Sequence, residues 1–102
     1  TEVDSEPPVL TVNNPIDKNI YNNKKVLFEL SSNEPSTFYY KYEEETKWKK
    51  LSKGNIYNGF VNLREGENEI VIRAADSSGN TADVKELIFI DSSIVFFLQI
   101  FK

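Results

Sequence analysis

Apolar and polar side chains alternate along most of the chain, in short runs separated by residues that favour turns. The clearest run is residues 70–75, which a turn at Glu65-Gly66 precedes and a turn at residues 76–80 follows. Alternation between two turns is typical of a strand with at least one buried face. The predicted inner side of this strand consists of Ile70, Ile72 and Ala74.

The same alternation predicts further strands on either side of this run. They occupy residues 9–12, 26–31, 37–42, 47–51, 56–63 and 81–90, separated by a polar loop at 16–25, turns at 33–36 and 43–46 and a loop at 52–55. No segment has a helical spacing of apolar residues, and strands and turns follow one another at short intervals. This arrangement predicts an all-β domain, an antiparallel β-sandwich of about seven strands.

The two ends of the chain differ from its middle. Residues 1–7 are acidic and reach Pro7-Pro8, which favours extended backbone, so they are predicted to be a linker to a domain at residues 8–91. Residues 92–102 form an apolar tail that is too short to span a bilayer, since a spanning helix needs about 20 residues. The tail has three interpretations: the first half of a truncated membrane anchor, an extra strand, or vector-derived sequence.

The apolar tail also predicts association. A segment of high β-propensity and low charge pairs readily with other strands when it is left uncovered. We therefore expect the tail to be covered either by its own domain or by a neighbouring chain. Self-association through residues 93–102 is the second of these outcomes.

The composition argues against several classes of function. The chain has 102 residues and a formal net charge of −4, without a strongly basic face, which argues against nucleic acid as a partner. It contains no Cys and no His, so neither a Cys-His nor a Ser-His-Asp arrangement is available. We expect a protein that is not an enzyme and uses no cofactor. The absence of Met predicts a segment of a longer protein or a processed product.

Residues 38–80 carry the pattern of a known type of repeat. An aromatic-rich strand, a tip and a Trp are followed by Val61-x-Leu63-x-x-Gly66-x-Asn68-x-Ile70-x-Ile72-x-Ala74-x-Asp76-x-x-Gly79-Asn80. The edges of the pattern are Pro7-Pro8-x-Leu10-x-Val12 and Ile90-Asp91. Over residues 7–91 the chain resembles the immunoglobulin-like and fibronectin type III-like repeats of bacterial and archaeal surface proteins, and among them the glucodextranase B-type domain.

The resemblance implies an immunoglobulin-like antiparallel β-sandwich that lies outside the cell or on its surface. It implies a non-catalytic spacer or adhesion module of a larger surface or secreted protein. Its partners would be neighbouring domains of the same chain, another protein or a glycan. The alternative is an accessory carbohydrate-binding module of a polysaccharide-degrading enzyme. The tail after Asp91 departs from the pattern, because a following repeat normally begins with a polar, Pro-containing link.

The residues of this pattern also have structural explanations. Gly66 and Gly79 permit the positive φ that tight turns require. Short polar side chains bond to the amides of turns, and those predicted to do so are Asn68, Asp76 and Asn80. The predicted inner face consists of Leu63, Ile70, Ile72 and Ala74. Ala74 leaves room for a large ring opposite, and Trp48 is the candidate for that ring.

Two kinds of ligand site are candidates. A Ca²⁺ ion between tandem repeats would be held by acidic residues of the leader, the late turn and the chain exit, namely Asp4, Glu6, Asp76 and Asp91. Calcium takes 6–8 oxygen ligands, and no compact acidic loop is present, so capping of turns is the competing explanation. An aromatic platform for sugar rings would consist of Tyr39, Trp48 and Tyr57, with Tyr21 as a further member. Packing in the core or on a sheet face is the competing explanation for these rings.

Overall fold

The computed structural model describes residues 6–93, and in that range the chain contains strands and no helix. The predicted all-β class is therefore confirmed. The strands are β1 (Leu10–Asn14), β2 (Ile20–Tyr21), β3 (Lys25–Tyr42), β4 (Lys49–Asn62), β5 (Gly66–Ala75) and β6 (Thr81–Ile90).

The strands form one curled, mixed sheet. Its order is β1-β3-β5-β6-β2, and β4 lies against β3 as well. All pairs are antiparallel except β2 and β6, which run parallel over Ile20 and Tyr21. The prediction of a purely antiparallel arrangement was wrong at this point. These two residues lie within the predicted polar loop at 16–25, because a strand of two residues is too short to show alternation.

Strand β3 folds back on itself, and this bend curls the sheet. Its first part pairs with β1 and with the end of β4, whereas its last part pairs with β5 and with the start of β4. The rings of Phe28 and Tyr40 have centroids 5.8 Å apart. On a straight strand these two residues would be about 40 Å apart. The two parts of β3 therefore face each other across the core.

The bend lies where the sequence predicted a turn at residues 33–36. The backbone there is an irregularity between Ser31 and Ser36 within β3, and the hydroxyls of Ser32 and Ser36 lie 3.0 Å apart inside it. The predicted loop at 52–55 likewise lies within β4. The described residues thus form six strands, whereas about seven were predicted. The predicted strands at 26–31 and 37–42 are both part of β3, those at 47–51 and 56–63 both lie mainly in β4, and β2 was not predicted.

The core lies between the two parts of the curled sheet. It consists of inward-facing residues of the four long strands, together with Leu63 after β4: Val26, Phe28, Leu30, Phe38, Tyr40, Tyr42, Val61, Leu63, Ile70, Ile72, Ala74, Ile88 and Ile90. Ile70, Ile72 and Ala74 have no solvent exposure, which agrees with the alternation in their sequence. Burial of these large side chains is the main favourable term in folding.

The described chain begins and finishes at opposite ends of β5. At the beginning, the amide of Val9 donates to the side chain of Asn33 (2.9 Å), close to the bend in β3 and the Ala75 end of β5. At the finish, the amide and hydroxyl of Ser92 donate to the carboxylate of Glu65 (3.1 and 3.0 Å), beside the Gly66 end. The length of β5 separates the two sites by about 30 Å.

The apolar run at 94–101 and most of the predicted linker at 1–7 lie outside the described residues. The three interpretations of the tail stay predictions. Within residues 6–93, no helix is long and apolar enough to cross a membrane.

Candidate functional site

An aromatic cluster on the outer face of the sheet is the main candidate for a binding surface. Tyr39 lies on β3 between the buried residues Phe38 and Tyr40, so its ring points away from the core. Trp48 immediately precedes β4. Their ring centroids are 6.5 Å apart in an edge-to-face arrangement with an interplanar angle of 67°. Two of the three residues predicted for a sugar platform are therefore adjacent.

Cations cover the Trp48 ring. The guanidinium carbon of Arg73 lies 4.2 Å from the ring centroid, and the ammonium of Lys41 lies 5.2 Å from it. Arg73 is fixed on its other side by Asp83, to which it donates two hydrogen bonds of 2.7 and 2.9 Å. These hydrogen bonds raise the pKa of Arg73 above its already high value. Positive charge over an indole face is attracted by the ring quadrupole, so Arg73 holds Trp48 in place.

The position of Trp48 corrects one prediction. Trp48 was expected opposite Ala74 in the core, but it contacts Arg73, the preceding residue of β5. Neighbouring residues of a strand point to opposite faces, so Trp48 lies outside and Ala74 inside. Tyr39, Trp48, Arg73, Ala75 and Thr81 line a shallow depression of about 320 Å³ on this outer face.

The remaining predicted rings lie elsewhere. Tyr57 is half-buried and packs against the core cluster from the second part of β4. The hydroxyl of Tyr21 donates to the side chain of Asn14 (3.0 Å) and accepts from the amide of Ile16 (2.8 Å), so it fixes the chain that leads into β2. Of the four candidate rings, only Tyr39 and Trp48 thus share one outer surface.

Of the acidic residues predicted as calcium ligands, Asp76 and Asp91 lie at opposite ends of the sheet. Asp76 follows the last residue of β5 and Asp91 follows the last residue of β6, and these two strands are antiparallel. Asp4 lies outside the described residues. The carboxylate of Asp76 accepts hydrogen bonds from the amides of Ser78 and Asn80, both at 2.9 Å. Glu6 is exposed near the start of the described chain. Among residues 6–93, no group of three or more acidic side chains is arranged to hold a metal ion.

The turn residues of the sequence pattern occupy the corners of the sheet. Gly66 and Gly79 have φ values of 95° and 92°, which are strained for residues with a side chain. The Asn68 amide is fully buried and donates to the carbonyls of Arg64 (2.8 Å), Gly66 (3.1 Å) and Ile88 (3.3 Å). Its oxygen accepts from the amide of Arg64 at 3.0 Å. Asn68 therefore joins the turn before β5 to strand β6.

A buried carboxyl on β6 was not predicted from the sequence. Glu86 on β6 is 8% exposed, and its Oε1 atom accepts no hydrogen bond from residues 6–93. Burial, and secondarily the negative charge of Asp17, raises the pKa of Glu86 to about 7. The spacing of residues along β6 does indicate this burial, because Glu86 lies two residues before Ile88 and four before Ile90, on the same inward face. A polar residue at an inward position is the informative exception to the alternation.

A scan against protein-family models and a search of curated proteins each found no match. The resemblance to surface repeats therefore rests on the pattern in residues 7–91 alone.

Proposed function

We propose that the curled sheet is an immunoglobulin-like β-sandwich. One layer would consist of β1, the first part of β3 and the second part of β4. The other would consist of β2, β6, β5, the last part of β3 and the first part of β4. The support for two layers is the contact between Phe28 and Tyr40, which belong to one strand and meet across the core. The proposal assigns β2 and β6, which pair in parallel, to one layer and β1 to the other.

The domain is proposed to act as a non-catalytic spacer or adhesion module of a larger extracellular or surface protein. The observation that carries this proposal is the position of the chain's two connections, about 30 Å apart at opposite ends of β5. A domain with connections at opposite ends extends a string of domains rather than folding it back. Neighbouring domains of the same chain are its proposed first partners.

The alternative function is an accessory carbohydrate-binding module. The adjacency of Tyr39 and Trp48 at a surface depression favours it. The position of Arg73 argues against carbohydrate binding, because its guanidinium lies over the Trp48 ring and is held there by the ion pair with Asp83. A sugar could stack on Trp48 only on a side that the cations leave open, or after displacing them.

A distance measurement tests the spacer proposal. The sequence contains no Cys, so Val9→Cys/Ser92→Cys accepts spin labels at two defined sites. Double electron–electron resonance should give one narrow distribution centred near about 30 Å plus the length of the labels. Val9→Cys/Lys53→Cys, with both sites near the Ala75 end of β5, is the matched control and should give a shorter distance. A broad distribution, or equal distances in the two pairs, would contradict a rigid spacer.

Glycan titration separates the two functions. The Trp48 indole resonance and fluorescence should not respond to soluble plant and microbial polysaccharides if the domain is a spacer. A saturable response that Trp48→Ala abolishes, with the fold retained, would establish the carbohydrate module instead. The Tyr57→Ala variant is the control, because Tyr57 lies away from the Tyr39–Trp48 pair.

A further inference from the structure

Strand β4 lies at an edge of the sheet that residues 6–93 form. Within residues 6–93, β4 pairs with β3 on one side and with no strand on the other. Open edges invite pairing with another chain, and proteins commonly protect them with lysine. The first part of β4 is protected in this way by Lys49, Lys50 and Lys53. Its second part, Ile56–Asn62, contains no charged residue.

This unprotected half also exposes large apolar side chains. Ile56 is 64% exposed and Phe60 is 61% exposed, and both point to the outer face with Asn58 between them. The Lys25 ammonium approaches the Phe60 ring to 5.7 Å from its centroid and leaves most of the side chain in solvent. An open backbone edge beside exposed apolar side chains is a favourable site for adding a strand.

The segment is complementary to a second copy of itself. If two copies pair antiparallel about a two-fold axis at Asn58, Ile56 of each lies opposite Phe60 of the other. Aromatic and β-branched residues directly opposite on one face stabilise an antiparallel pair. The same register places Tyr57 opposite Gly59, over which the Tyr57 ring of the same chain already lies. The uncharged stretch meets itself in this register, so no like charges are brought together.

We propose that the Ile56–Asn62 edge of β4 is a homotypic docking edge, at which two copies of this chain pair antiparallel about Asn58. The contact extends a sheet across two molecules and is independent of the spacer role. One pair of strands buries less surface than a stable dimer needs, so the association is weak and concentration-dependent.

Sedimentation tests the proposal on the full chain. The average mass should rise with concentration from 11.7 kDa towards that of two chains. Ile56→Lys and Phe60→Glu should each weaken association at least tenfold. The Val9→Lys/Ile16→Lys variant, which alters two other exposed aliphatic residues, should associate like the native chain. Hydrogen exchange of β5 and β6 amides verifies that each variant is folded.

Mixing the two edge variants tests the register. In the mixed dimer, the lysine introduced by Ile56→Lys would lie opposite the glutamate introduced by Phe60→Glu, and the other pair would remain Ile56 with Phe60. The mixture should therefore associate more strongly than either variant alone. A chain that is monomeric at every concentration overturns the proposal, as does a mixture no stronger than its components. The tail variant Phe96→Asp/Leu98→Asp separates a contact through the tail from one through β4. If the edge variants associate like the native chain and the tail variant does not associate, the proposal is overturned and the contact belongs to the tail.

Discussion

The ring of Tyr40 meets the ring of Phe28 edge-on across the core, although both residues belong to the same strand. This contact joins the two parts of β3, and Phe28 has no solvent exposure. Each part of the sheet is therefore held by the other through aromatic packing.

Replacing Phe28 by Ala should lower the free energy of unfolding by about 3–5 kcal/mol, because the substitution leaves a cavity between the two parts of β3. Urea denaturation measures the change. Phe60→Ala is the matched control, since Phe60 is 61% exposed, and it should change stability by no more than about 0.5 kcal/mol. Equal effects of the two substitutions would show that the Phe28 contact does not hold the curl.

Asn68→Asp should destabilise the domain by about 3 kcal/mol or more, although the two side chains have nearly the same shape. The buried amide donates to three backbone carbonyls, and an ionised carboxylate would face the same carbonyls with no proton to donate. Thermal and urea unfolding at pH 7 measure the loss. The exposed Asn62 on β4 provides the control, and Asn62→Asp should be nearly neutral. A stable Asn68→Asp variant would contradict the proposed link between this turn and β6.

Arg73→Leu should make the Trp48 ring more accessible, because the guanidinium that covers it is removed. Acrylamide quenching of the single Trp should increase. The stability loss should be only about 1 kcal/mol, since the Arg73–Asp83 pair is partly exposed. Arg64→Leu is the control, because Arg64 lies 3.8 Å from the Tyr42 ring and away from Trp48. Unchanged quenching in Arg73→Leu would mean that the arginine does not shield Trp48.

Stability should fall as pH rises from about 4.5 to about 7, because the pKa of Glu86 is raised in the folded state. The unfolded chain releases this proton at lower pH, so the folded state binds more protons within this window. The full shift corresponds to at most about 3 kcal/mol. Glu86→Gln should be more stable than the native chain at pH 8 and should lose much of this pH dependence.

Exposed carboxyls provide the control for this pH effect. Glu67→Gln removes one negative charge from an exposed site on β5 and should leave the slope of stability against pH nearly unchanged. The sequence contains no histidine, so no imidazole titrates in the same range. A native stability curve that is flat between pH 5 and pH 8 would contradict the assignment to Glu86.

Calcium should leave the melting temperature unchanged at millimolar concentration. Asp76 already accepts backbone hydrogen bonds within its own turn, and Asp91 lies at the other end of the sheet. Differential scanning calorimetry with CaCl₂, and with MgCl₂ as the ionic control, measures the effect. A calcium-specific rise that Asp91→Asn removes would instead support the site between repeats.

The sequence predicts well those parts of the fold that depend on local alternation and turn chemistry. Strand β6 has the predicted bounds, and the turn at 76–80 closes with a hydrogen bond from the Asp76 amide to the Asn80 carbonyl (2.9 Å). Glycine and short polar residues fix such turns through local bonds, so their pattern can be recognised without knowledge of the partners.

Features that depend on distant partners could not be predicted in this way. The turn expected at 33–36 is a bend within β3, because pairing with β4 continues on both sides of it. Trp48 lies on the outer face, where Arg73 and Lys41, which are far apart in sequence, each contact its ring. Strand β2 exists only because β6 is beside it. In each case a tertiary contact decided between conformations that the local sequence allowed.

The parallel pairing of β2 with β6 determines how the domain would respond to force. Backbone hydrogen bonds join the segment 18–21 to β6 and the residue after it, from Lys18 to Leu87 (2.7 Å), from Phe89 to Asn19 (3.0 Å) and from Asp91 to Tyr21 (2.9 Å). Because the two strands run in the same direction, tension on the ends of the chain drags one past the other. The hydrogen bonds would then be loaded in shear and break simultaneously, instead of breaking one after another.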